Sequence, residues 1–116
     1  MNYKVTQWGK ELDKSKYTFD ETTKTFSSKE DNLVLDFKTG SNCTFKTGSY
    51  CTFKTGADCT FNTGYNCTFD TSSYCTFKTG EKCVVIRRDI YEIIELEEWK
   101  EIKLNWYMKK GFTYIG

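Results

Sequence analysis

Six cysteines, at 43, 51, 59, 67, 75 and 83, stand at eight-residue intervals, and a thiolate can attack, hold a soft metal or join a disulfide. The pattern argues against all three uses. A structural metal site calls for Cys-x-x-Cys pairs or neighbouring histidine, and this chain contains no histidine. The opening Met1-Asn2-Tyr3-Lys4-Val5 lacks the apolar core of a signal peptide, so a cytoplasmic location is expected, and disulfides are rare there. All six cysteines share one slot of a repeat, and Leu35 fills that slot in an early copy, which points to packing of small apolar thiols. The second chemical candidate is the run of Glu92, Glu95, Glu97, Glu98 and Glu101, where two carboxylates could share acid and base work. So many in one charged segment read as solvated. With no nucleophile motif and no phosphate-cradling glycine loop, no enzyme, cofactor, metal or small-molecule substrate is expected.

The slot belongs to the phrase Cys-Thr-Phe-Lys-Thr-Gly-x-x, which starts at Cys43, Cys51, Cys59, Cys67 and Cys75, with decayed copies at Leu35 and Cys83. Within it Cys, Phe and the second Thr alternate with Thr and Lys, the two-residue period of a half-buried strand. Glycine follows at 40, 48, 56, 64 and 80, where a bend with positive φ would suit it. A strand and corner repeated at fixed spacing buries its apolar side only by stacking on copies of itself. The expected fold is therefore all-β, a short β-solenoid with coils about 4.8 Å apart. Its core ladders are Cys43, Cys51, Cys59, Cys67 and Cys75 beside Phe45, Phe53, Phe61, Phe69 and Phe77, continued by Phe37 at one end and Val85 at the other. The outward array is Thr44, Lys46, Thr52, Lys54, Thr60, Thr68, Thr76 and Lys78.

Pairing across coils favours three octads per coil. A 24-residue offset sets Asn42 on Asn66, Tyr50 on Tyr74, Lys46 on Asp70 and Asp58 on Lys82, and such like-aromatic and opposite-charge pairs each contribute roughly 0.2–1 kcal/mol. A 16-residue offset matches less well, with Lys38 meeting Lys54. An intertwined trimer, each chain giving one wall of a prism, stays open as a third packing.

The flanks carry no repeat and read as caps, because each end of a solenoid is a row of unpaired backbone groups. Residues 1–34 form the N-terminal cap, with a strand over Tyr3–Trp8 ending at Gly9 and a hairpin around Asp20–Lys24; residues 35–90 form the solenoid. Residues 91–116 form the C-terminal cap, for which β-branched and aromatic content favours strands, with a helix over 89–104 as the rival. Here Glu95, Glu98, Trp99, Trp106, Tyr107 and Met108 set aromatic and Met side chains beside charge, a mixture enriched at contact surfaces. They are the candidate partner or oligomer surface, set against a plain solvated cap.

Among 116 residues a net charge of +1 argues against a dedicated nucleic-acid binder, and no apolar run approaches the ~20 residues of a membrane span. The repeated Cys-Thr-Phe-x-Thr-Gly units running into Cys83-Val84-Val85-Ile86-Arg87-Arg88-Asp89, with an Ile102-Lys103-Leu104-Asn105 tail, resemble octapeptide-repeat β-solenoid proteins of bacteriophages and mobile elements. The resemblance spans roughly residues 33–116. It implies a phage-associated structural or protein-binding module and brings no functional residues with it. Protein, including a second or third copy of this chain, is thus the expected partner. An inhibitor or decoy of a host enzyme or defence protein is the alternative, and an ice- or surface-binding threonine array the second alternative.

Overall fold

The structure, a computed structural model, describes residues 3–38 and 40–115; Met1, Asn2, Thr39 and Gly116 lie outside the described residues. In chain order the strands are β1 (Lys4–Gln7), β2 (Lys10–Glu11), β3 (Thr18–Asp20), β4 (Thr25–Ser27), β5 (Leu33–Asp36), β6 (Thr44–Lys46) and β7 (Thr52–Lys54). There follow β8 (Thr60–Asn62), β9 (Thr68–Thr71), β10 (Thr76–Lys78), β11 (Cys83–Arg87), β12 (Glu92–Leu96), β13 (Ile102–Leu104) and β14 (Phe112–Tyr114). They form two seven-stranded sheets, one in the order β12-β11-β9-β7-β5-β1-β2 and the other β14-β13-β10-β8-β6-β4-β3. Successive octads alternate between the sheets, and the repeat strands stack in parallel: a β-solenoid with two walls.

The coil contains two octads, not three. Thr44-Phe45-Lys46 lies in register with Thr60-Phe61-Asn62, and that with Thr76-Phe77-Lys78, an offset of sixteen residues. The pairs that favoured twenty-four involve side chains at the surface and are not brought together, Tyr50 packing on Tyr65 instead; the core outweighs them. Along one wall Phe45, Phe61 and Phe77 stack nearly parallel, with centroids 5.2 and 4.9 Å apart, and Phe61 meets the Phe53 and Phe69 rings of the other wall edge-on. Each such contact adds about 0.5–1.5 kcal/mol beyond area burial. The expected clash of Lys38 with Lys54 does not arise either. The first coil is two residues longer, so Asp36 pairs with Lys54 and Lys54 with Asp70, a ladder of alternating charge. That extra length also moves Leu35 into the phenylalanine row, opposite Phe53, while Phe37 enters the core further along. One chain supplies both walls, so the intertwined prism does not form.

All ten ladder residues named above are buried, and Thr55, Thr63, Thr71 and Thr79 are buried with them. A buried hydroxyl needs a partner, and those of Thr55, Thr63 and Thr79 donate to the carbonyl of the glycine that follows. The thiols do similar work between coils: Cys59, Cys75 and Cys83 donate to the carbonyls of Gly40, Gly56 and Gly64 at 3.4, 3.5 and 3.5 Å.

The left-handed residue of each corner is not the glycine. It is the residue before cysteine: Asn42, Tyr50, Asp58, Asn66, Tyr74 and Lys82 have φ between 55° and 63°. Asn and Asp accept this conformation most readily. Glycine is required instead by the neighbouring coil, since a Cβ at Gly80 would lie 2.9–3.0 Å from the backbone of Gly64 and Tyr65. Backbone cannot swing aside, so Gly80→Ala is expected to cost about 1–3 kcal/mol in denaturant unfolding, through forced separation of two coils.

At the ends the chain reverses. The β1–β2 and β3–β4 hairpins close the N-terminal side, with Phe26 of β4 already in register with Phe45, its ring tilted 42° to that of Phe45. On the C-terminal side β12 runs antiparallel to β11, and β13 and β14 add antiparallel strands to β10. Residues 89–104 thus form strands and turns, with no helix.

Candidate functional site

β11 alternates inward and outward, and its inward positions are Cys83, Val85 and then Arg87. Arg87 is fully buried, a position arginine takes only when paired. Its guanidinium grips Asp89 through two hydrogen bonds, at 3.1 and 2.6 Å, and reaches two carbonyls of the loop between β13 and β14: Lys109 at 2.6 Å and Trp106 at 3.1 Å. Asp89 in turn accepts the Met108 N–H at 3.2 Å, and Glu92, 3.9 Å from the guanidinium, accepts the Gly111 N–H. A buried ion pair thus pins an exposed loop from beneath.

That loop carries Trp106, Tyr107 and Met108, which are 67%, 65% and 60% exposed. Tyr74, from the corner between β9 and β10, packs edge-on against Trp106 at 5.2 Å, and the Lys103 ammonium lies 3.7 Å from the Tyr74 ring centre. Tyr91, 91% exposed, belongs to the adjoining β11–β12 turn. Apolar side chains held rigidly in water do nothing for this fold's own core, and they make a ready contact surface.

The six candidate surface residues are not one patch. β12 runs from the Arg87 corner to the opposite one, where the Trp99 N–H donates to Thr79. Glu95, Glu98 and Trp99 therefore sit toward the far corner, beside Glu97, which binds Lys100 at 3.1 Å and the Tyr114 hydroxyl at 2.8 Å. The outward array is divided too. Thr44, Thr60 and Thr76 form a ladder on one wall, flanked by Lys46 and Lys78, whereas Thr52, Thr68 and Lys54 face out from the other.

Burial pushes the Asp89 carboxyl up, but the Arg87 hydrogen bonds and the Met108 N–H outweigh it, and the net shift is downward. A carboxyl lowered by folding contributes stability above its unfolded pKa, near 3.8, and loses that contribution as pH falls through the lower folded value. As pH falls from about 4 toward that lower value the Trp106 loop is therefore expected to loosen, read as lost hydrogen-exchange protection of the Met108 amide, which Asp89 holds.

The thiols offer no accessible chemistry. Cys51 and Cys59 are drawn down to about 7 by hydrogen bonds from Cys67 and Cys75, yet both are 1% exposed. Among the described residues no group of three or more Cys, Asp or Glu is arranged to hold a metal ion, and no helix is long and apolar enough to cross a membrane. No protein-family model, curated protein or solved structure matches the chain.

Sequence reasoning missed Arg87, Asp89 and Tyr91. For Arg87 the signal was present: the alternation that places Cys83 and Val85 inward places residue 87 inward as well.

Proposed function

We propose that this protein is a non-enzymatic binding module, a rigid solenoid that presents its C-terminal end to a protein partner. The observation carrying this reading is the exposed Trp106-Tyr107-Met108 loop fastened by a buried Arg87–Asp89 pair. Pre-ordering a surface removes part of the entropic cost of association, and aromatic side chains are where binding energy concentrates. The carboxylates of this end are held in ion pairs or stand in water, an arrangement suited to recognition. A phage-associated setting fits the resemblance of the repeat. The threonine ladders are a weaker basis for ice binding, because lysines share their wall. Immobilised protein is expected to retain a partner from bacterial lysate, and a Trp106→Ala/Tyr107→Ala/Met108→Ala variant with unchanged melting to lose it. Equal retention by both proteins contradicts the reading.

A further inference from the structure

The C-terminal end holds three features that belong together: a free strand edge, apolar side chains along it, and charges of opposite sign at its two corners. β14 ends its sheet. Asn105 N–H donates to the Gly111 carbonyl at 3.0 Å and Ile115 N–H to that of Glu101 at 2.9 Å. Backbone groups alternate in direction along an antiparallel strand, so the Gly111 carbonyl, the Thr113 N–H and C=O and the Ile115 N–H turn toward β13. The N–H and C=O groups of Phe112 and Tyr114 point away, into solvent. The edges at the other end are blunted, β2 by brevity and the charges of Lys10 and Glu11, and β3 by Asp20; natural sheets blunt edges in these ways against pairing. Phe112-Thr113-Tyr114 carries no charge to prevent it.

We infer that this end docks onto a second copy of itself, β14 pairing antiparallel with its counterpart about a two-fold axis through Thr113. The inference rests on the proposed binding role of this end and names its partner. Phe112 of one copy then lies opposite Tyr114 of the other, so each outward N–H meets an outward carbonyl and both aromatic pairs face the core side, beyond Leu104 and Ile102. An isologous contact must be self-complementary, and the charges satisfy this. The two-fold axis brings the corner bearing Lys109 and Lys110 against the other copy's corner bearing Glu95 and Glu98. The area suffices as well. Sheets of seven strands at about 4.8 Å run along the 38 Å axis of the molecule, leaving an end of 27 × 26 Å. Covering it on both copies removes on the order of 1,400 Å² from water, within the roughly 1,200–2,000 Å² of specific interfaces.

Sedimentation velocity over a concentration series at low salt tests this on the full chain. The expected result is a dimer that weakens as salt is added. Lys109→Glu/Lys110→Glu and Glu95→Lys/Glu98→Lys should each weaken it by at least about tenfold, since each sets like charges across the axis, while a mixture of the two variants should form a heterodimer of near-native strength. Phe112→Pro, which removes an outward N–H and leaves the inward ladder intact, should also abolish it. A wild-type monomer throughout, a dimer indifferent to both reversals, or a mixture that fails to associate overturns the inference. If a wild-type monomer still retains a partner through Trp106, the binding role stands and only the self-pairing falls; if neither occurs, both fall.

Discussion

Phe61→Ala is expected to lower stability by about 3–5 kcal/mol, the range for emptying a buried phenylalanine site. The ring is 1% exposed and lies between Phe45 and Phe77 in its own wall, with Phe53 and Phe69 across the interior. Its neighbours are held by backbone ladders on both sides and cannot collapse into the void, which places the loss toward the upper end. Unfolding in denaturant should show a shifted midpoint with little change in slope. A loss below about 1 kcal/mol would mean that the ring is not enclosed.

Arg87→Ala should cost a similar amount, about 3–5 kcal/mol, because it strands a buried carboxylate. Asp89 is 3% exposed at its side chain, and without the guanidinium it must ionise unpaired or take up a proton. The carbonyls of Trp106 and Lys109 lose their donor in the same step. Removing both charges, as Arg87→Ala/Asp89→Ala, should therefore cost less than the sum of the two single changes. Additive losses would show that the two side chains act independently and that the loop is held by other means.

The alternation of Cys and Phe with Thr and Lys is enough to specify strands, their inward faces and a stacked coil, because a two-residue period leaves one side to bury. How the coils close was not legible in the same way. Corner pairs such as Asn42 with Asn66 or Tyr50 with Tyr74 are visible in sequence, whereas the face-to-face fit of Phe45 on Phe61 and the edge-on approach of Phe53 appear only once two walls are built. The glycine reading went astray for a related reason. Local conformation suggested φ, but at Gly80 the constraint is contact with Gly64 and Tyr65 of the coil below. At the C-terminal end, composition located the aromatic and charged surface, but not its division between two corners, which depends on β12 crossing from one corner to the other. The support for the Trp106 loop was hidden because a buried arginine runs against residue preference, although the parity of β11 marked it.

The two-octad coil is tested most directly by nuclear Overhauser contacts between backbone protons of neighbouring strands in the labelled protein. The structure places Thr44 beside Thr60 and Thr60 beside Thr76, in parallel register, so contacts at sixteen-residue separation are expected for these pairs and for Thr52 with Thr68. Contacts linking Thr44 to Thr68 and Thr52 to Thr76, at twenty-four residues, would contradict the account.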